Sequence, residues 1–191
     1  MSARVTATSE LRTDSELPVS ALRFARRVHL GQRRKQTQEQ FIEHPVAVAR
    51  LLAGLEVDDR ILAAAYLHDV VEKTAVEPAE IAERFGPEVA AIVVALNDDP
   101  SIEHYAERKR ALRRQVLGGG RDAVLIYAAD RLSNMRDWRQ VAPDSRAACA
   151  ERLGTRLEER LGLWEEDLRE LTTYDPELPF LAEIETELRD L

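Results

Sequence analysis

Apolar residues recur along this chain at steps of three and four, with few β-branched alternations and with Gly or Pro at the interruptions, which predicts helices almost throughout. A first helix is expected from about Val19 to Leu30, closing at Gly31, followed by a polar loop over Gln32 to Glu43. Pro45 fits the first turn of a second helix running through Leu55, because its missing amide proton is not needed there. A third helix from Asp58 to Glu72 would set Ile61, Ala64, Ala65, His68 and Glu72 on one face. Pro78 and Pro87 open two more, the second carrying the apolar run Val89 to Leu96, and Asn97 to Pro100 breaks the chain again.

After the connector Gly118 to Gly120, residues Arg121 to Arg139 show an apolar stripe of Val124, Ile126, Tyr127 and Met135. Asp130 follows Ile126 by four residues and Asn134 follows Asp130 by four, so a carboxylate and an amide are aimed inward. Pro143 ends this region. Ser145 to Thr172 then reads as one long acidic amphipathic helix, Tyr174 to Pro179 as a turn, and Phe180 to Leu191 as a last short helix. Residues 1–17 are rich in Ser, Thr and charge and are expected to be disordered. No solenoid repeat and no strand-Gly-helix nucleotide loop is present, so the expected fold is an all-α bundle. The expected layout is a tail over 1–17, a domain over 18–143, and acidic helices over 144–191 that pack on it or form a dimer contact.

A length of 191 residues suits one domain with an extension. No apolar run approaches the roughly 20 residues of a membrane span, and the polar N-terminus lacks a signal segment, so a cytoplasmic protein is expected. The single cysteine, Cys149, excludes an internal disulfide and suits a small buried position. The net charge of −8 is unevenly spread: residues 1–150 carry 22 acidic and 22 basic side chains, residues 151–191 carry 13 and 5. Within the neutral part, Arg26, Arg27, Arg33, Arg34 and Lys35 form one basic cluster, and Arg108, Lys109, Arg110, Arg113 and Arg114 a second. Two short patches suit a small polyphosphate rather than a long nucleic acid, although the second is equally read as a solvated helix face.

His44, His68, Asp69 and Asp130 carry the chemistry. An apolar-facing histidine taken singly is more often a core residue than a ligand. Four such positions are harder to dismiss, because burying two carboxylates is costly unless a cation compensates them. Two nitrogens and two oxygens from separate helices suit a divalent metal, and with it a hydrolase.

The segments HLGQRRK (29–35), FIEHPVAVA (41–49), AAYLHDVVEKT (64–74), RFGP (84–87) and AADRLSNMR (128–136) resemble, in order and spacing, the hydrolase domain of the RelA/SpoT homologue family, and above all its stand-alone small alarmone hydrolases. The resemblance covers roughly Val19 to Arg139. It implies an HD-superfamily helical bundle that removes the 3′-pyrophosphate of (p)ppGpp, giving GDP or GTP and pyrophosphate, with Mn²⁺ as the expected metal. His44, His68, Asp69 and Asp130 then match the metal ligands, and Glu72 the catalytic glutamate that orients or deprotonates the attacking water. Arg34 and Lys35 match residues that hold base and phosphates, and Asn134 and Arg136 a motif facing the nucleotide. His29 falls near the site in a packing role, while His104 matches no ligand. The implied partner is a small nucleotide polyphosphate, with neither long nucleic acid nor membrane, and no synthetase activity is expected.

The chain departs from the family where Glu is usually followed by Asp, because Glu72 is followed by Lys73, a local change of two charge units. Lys73 then turns to solvent, grips the phosphates, or leaves a catalytically weakened nucleotide- and metal-binding sensor. A phosphohydrolase acting on another ribose-phosphorylated nucleotide such as NADPH is a further alternative. Gln40 and Asn97 are smaller departures that bear on substrate fit.

Overall fold

Helix α8 (Arg121–Gln140) runs through the middle of the molecule, and every residue from Ala123 to Ser133 is buried. A helix wrapped on all sides needs no polar face, so its apolar positions extend well beyond the stripe expected from the sequence. Around it, in a computed structural model that describes residues 16–191, stand α1 (Glu16–Val28), α2 (Glu43–Ala53), α3 (Asp59–Leu67), α4 (Val70–Lys73), α5 (Pro78–Phe85), α6 (Pro87–Ala95) and α7 (Tyr105–Gly118). A 3₁₀ turn (Pro143–Ser145), α9 (Arg146–Arg152), α10 (Leu157–Tyr174) and α11 (Leu181–Asp190) complete the chain. No strand occurs among the described residues; one antiparallel bridge joins Arg33 and Gln40. The all-α bundle expected from the sequence is the fold. No described helix is long and apolar enough to cross a membrane.

Helix α3 is capped by Asp58, whose carboxylate accepts from the amides of Arg60 at 2.9 Å and Ile61 at 3.1 Å. Its fully buried run Ala63, Ala64, Ala65 has no bulk to hold neighbours away, and both α1 and α2 pack against it. Pro78 and Pro87 open α5 and α6 as expected.

Three expectations are corrected. Glu16 and Leu17 already belong to α1 rather than to a disordered tail; the remainder of that expectation, residues 1–15, lies outside the described residues. The helix expected over Asp58 to Glu72 is interrupted by a turn at His68 and Asp69, with the Lys73 amide donating to the Asp69 carbonyl at 2.9 Å to start α4. The long C-terminal helix is divided at Gly154, which stands in the left-handed region at φ +73 and lets the chain turn between α9 and α10.

The acidic C-terminal segment packs on the bundle. Leu163, Trp164 and Leu171 are buried, and Trp164 meets Trp138 of α8 edge to face at 6.2 Å between ring centroids. The second basic cluster is consumed in this docking: Arg110 grips Glu166 through two bonds of 2.8 and 2.5 Å, and Arg113 donates to Asp167 at 2.5 Å. Arg108 and Lys109 turn instead to the buried Asp98. The cluster is thus neither a bare solvated face nor an anion patch, because intramolecular carboxylates neutralise most of it.

Candidate metal and nucleotide site

His44 is the second residue of α2, His68 and Asp69 form the turn between α3 and α4, and Asp130 projects from the middle of α8. All four are buried. His44 Nε2 lies 2.9 Å from Asp130 Oδ1 and 3.7 Å from Asp69 Oδ2, and His68 Nε2 lies 3.4 Å from Asp69 Oδ2 and 3.8 Å from Asp130 Oδ1. Ligand atoms of His44, His68 and Asp130 fall within 4.8 Å of one another. Donors about 2 Å from a shared cation stand about 3–4 Å apart, so the spacing suits a single ion.

The hydrogen bonds decide which nitrogens remain free. His68 Nδ1 donates to the Ala65 carbonyl at 2.8 Å, which leaves Nε2 unprotonated in the neutral ring, and this Nε2 is buried with no hydrogen-bond partner among the described residues. His44 Nδ1 pairs with Ser133 Oγ at 3.2 Å, so its Nε2 also faces the carboxylates. An orphaned buried nitrogen beside two carboxylates fits a cation. Burial holds His44 below its ordinary imidazole range, the neutral form that ligation requires. Burial works against ionising Asp130, but the Arg131 guanidinium and then His44 outweigh it and hold the carboxyl well below the usual carboxylate range. Asp69 is likewise lowered, its burial being outweighed by His68 and His44.

The inner cavity, about 110 Å³, is lined by this cluster together with Glu72, Lys73, Arg34 and Asn134. Asn134 links two parts of it: its Nδ2 donates to Asp130 Oδ1 at 2.7 Å while its Oδ1 accepts from Arg34 Nη2 at 2.7 Å. Arg34 also bonds Asp137 at 2.6 Å and sits over the Phe41 ring. Lys73 Nζ contacts the Glu72 carboxylate while more than a third of its side chain stays accessible, and burial near the site lowers its pKa.

The 29–40 loop is held against this site by its own backbone. Arg34 N donates to the Glu39 carbonyl and Phe41 N to the Gln32 carbonyl, both at 2.9 Å, while Gln32 Nε2 reaches the Lys73 carbonyl at 2.9 Å. His29 packs on Phe41 and bonds Gln32, a support for the loop rather than a ligand. An outer cavity of about 440 Å³ shares Arg34, Lys73 and Asn134 with the inner one and adds Arg33, Lys35, Phe41, Leu153 and Arg160.

Arg136 is placed elsewhere. Its Nε lies 3.2 Å from Glu187 of α11 and it lines neither cavity, so the structure separates it from the other expected substrate-binding residues. His104 is exposed at the start of α7. Sequence reasoning missed Ser133, Arg131, Asp137 and Arg160. Asp137 was within reach of it, since it follows Asn134 by three residues on the same helix face. An open groove of about 610 Å³ between α10 and α11 is larger, but its lining is apolar and acidic and it offers no metal-binding set.

Residues 21–164 match the HD domain family. The chain belongs to that family. Among curated proteins, this HD domain is 37% identical over 135 residues to the guanosine-3′,5′-bis(diphosphate) 3′-pyrophosphohydrolase MESH1 of Xenopus tropicalis, covering 69% of the chain and 75% of that relative. It is 38% identical over 130 residues to the human MESH1, covering 66% of the chain and 72% of that protein. A probable pyrophosphohydrolase of Synechocystis sp. is 38% identical over 152 residues, of which the chain spans 20% of the length. A solved metazoan orthologue of SpoT, described as hydrolysing ppGpp, superposes with a TM-score of 0.76 at 26% identity, over 93% of this chain and 96% of that one. The matched region runs past Pro143 and takes in the first half of α10.

Proposed function

We propose that this chain hydrolyses the 3′-pyrophosphate of (p)ppGpp in a metal-dependent reaction, releasing GDP or GTP and pyrophosphate. The observation that carries this reading is the free Nε2 of His68, buried beside His44, Asp69 and Asp130 at the closed end of a cleft whose open end is basic. The names of the relatives supply the nucleotide, and the cavity chemistry agrees with it.

His44, His68, Asp69 and Asp130 would hold the metal; mixed nitrogen and oxygen donors accept Mn²⁺, Fe²⁺, Co²⁺ or Zn²⁺, and Mn²⁺ is chosen among them by analogy with the family. When bound, such an ion acidifies water and stabilises charge developing on phosphorus. Glu72, on the wall of the same cavity, accepts the proton of the attacking water. Arg34 and Lys35 hold the nucleotide in the outer cavity, where the planar guanidinium of Arg34 suits stacking and paired hydrogen bonds. Asn134 keeps Asp130 and Arg34 in register, so the cation end and the nucleotide end of the cleft are set by one side chain. The hydrolase unit, expected to end at residue 143, takes in the matched region through residue 164, and the rest of α10 with α11 is its acidic buttress, working on a small nucleotide in the cytoplasm.

Purified protein loaded with Mn²⁺ and given ppGpp should release GDP and pyrophosphate; cleavage of NADPH with ppGpp left intact would replace the substrate. A second reading, a weakened sensor, is favoured by one observation, the contact of Lys73 with the carboxylate of Glu72. It requires that ppGpp bind the metal-loaded protein without turnover.

A further inference from the structure

Arg160, near the start of α10, is a cation without a counterion among the described residues. Arg34, Arg113 and Arg131 each pair with a carboxylate, respectively Asp137, Asp167 and Asp130, but no described carboxylate pairs with Arg160. Its guanidinium carbon lies 5.0 Å from the Tyr105 ring centroid, 4.9 Å from that of Trp138 and 6.0 Å from that of Trp164. One hydrogen bond holds it, from Nη2 to Thr155 Oγ1 at 3.2 Å, and its Nε is buried without a partner. Burial pushes its pKa below the ordinary guanidinium range, as expected of a charge that the protein does not compensate. Aromatic faces satisfy a guanidinium in part, yet this one also forms the wall of the outer cavity with Arg33, Lys35 and Lys73. Cations gathered at one wall repel each other until an anion enters.

We propose that Arg160 is an anion-binding residue of the cleft that takes the 5′-phosphates of the nucleotide whose 3′ end faces the histidine and carboxylate cluster. This rests on the hydrolase reading above and adds to it a contact from the C-terminal segment, which no sequence motif supplied. Arg160 lines the outer cavity and not the inner one, so it meets the part of the ligand farther from the reacting phosphorus. With aromatic rings against the guanidinium, its N–H edge is what remains to offer, and that edge matches phosphate oxygens better than a base to be stacked. Leu153, from the end of α9, stands beside it in the same wall.

The test compares Arg160→Gln with the wild-type protein on ppGpp and on guanosine carrying only the 3′-diphosphate. KM for ppGpp should rise about ten- to a hundredfold, the loss expected for charge-assisted hydrogen bonds, while KM for the compound lacking 5′-phosphates stays unchanged. Equal changes for both substrates, or none, overturn the assignment and leave Arg160 as packing for the aromatic rings. Thermal unfolding checks that the variant folds. Should it not, Arg160→Lys takes its place, because it keeps the charge and loses the fork; it should raise KM severalfold for ppGpp alone, and an unchanged KM is again fatal. If the wild-type protein cleaves neither compound, the hydrolase reading falls separately, and calorimetry decides the Arg160 assignment. Wild-type protein that prefers GDP to guanosine, with the preference lost in Arg160→Gln, supports it, and no such difference overturns it.

Discussion

Asp130 and Asp167 share one guanidinium: Arg131 Nη2 bonds Asp130, and its Nη1 lies 3.6 Å from Asp167 Oδ2. Asp130 faces the candidate metal position and Asp167 belongs to the C-terminal helix, so the acidic segment is wired to the site through a single residue. Tyr127 Oη also donates to Asp167 at 2.9 Å, and Arg113 at 2.5 Å, making that carboxylate the hub of a buried network. Asp167→Asn takes one carboxylate from Arg113 and Arg131, which keep Glu166 and Asp130 respectively, so the cost is that of weakened charge-assisted hydrogen bonds, about 1.5–3 kcal/mol. The expected result is a melting temperature lower by about 6 °C. Calorimetric unfolding checks it, and a shift of a degree or two would show that the network carries little.

His68→Ala removes the free Nε2 and should lower Mn²⁺ affinity by more than about a hundredfold, beyond the loss typical of outer-sphere changes. Glu72→Gln should bind Mn²⁺ as the wild type does while turnover falls by about 10²–10⁴. Titration calorimetry together with a pyrophosphate-release assay separates the two. Equal Mn²⁺ binding by both variants would contradict the ligand role of His68.

Lys73→Asp should raise turnover by about tenfold, because it removes the ammonium that contacts the carboxylate of the Glu72 base. A fall in turnover accompanied by a higher KM would instead mark Lys73 as a phosphate-holding group.

Arg34→Ala should raise KM for the nucleotide by at least about tenfold, since it removes a charged group that lines both cavities. Arg136→Ala should leave KM unchanged, because that residue is turned to Glu187. Steady-state kinetics on the two variants tests this division.

Hydrogen bonds from Arg110, with Arg113 adding to them, depress the Glu166 carboxyl from 4.5 to about 2. A carboxyl lowered on folding contributes stability that is whole above the unfolded pKa and disappears as pH falls through the folded one. Thermal stability should therefore decline between pH 4.5 and about 2 with a component that Glu166→Gln abolishes. Added salt should weaken it, because Arg110 is largely exposed. A variant with the same acid profile as the wild type would remove Glu166 from the docking of α10.

Much of this was legible in the sequence, and its failures have identifiable causes. Helix periodicity and proline placement locate α2, α5 and α6 because those signals are local. The four residues of the candidate metal cluster stand out because buried carboxylates and histidines conflict with an apolar stripe, and they do converge. The interruption at His68 and Asp69 is not encoded by Gly or Pro. It accompanies a side-chain bond from His68 Nδ1 to a backbone carbonyl, which periodicity cannot register. The second basic cluster was ambiguous since a charge run has the same appearance whether it faces water or an acidic helix brought in from elsewhere in the chain; pairing with Glu166 and Asp167 is a property of the tertiary fold. Arg136 shows the same limit. Two residues after Asn134 on a helix, it points away from the cleft into which Asn134 reaches.

Trp138 and Trp164 are the chain's two tryptophans, and they stand against each other between α8 and α10 with Arg160 beside both. All of the protein's indole emission therefore originates from one junction. Undocking of the C-terminal helix, or an anion drawing the guanidinium away from the rings, should change the intensity and colour of that light, giving a label-free optical gauge in the native protein.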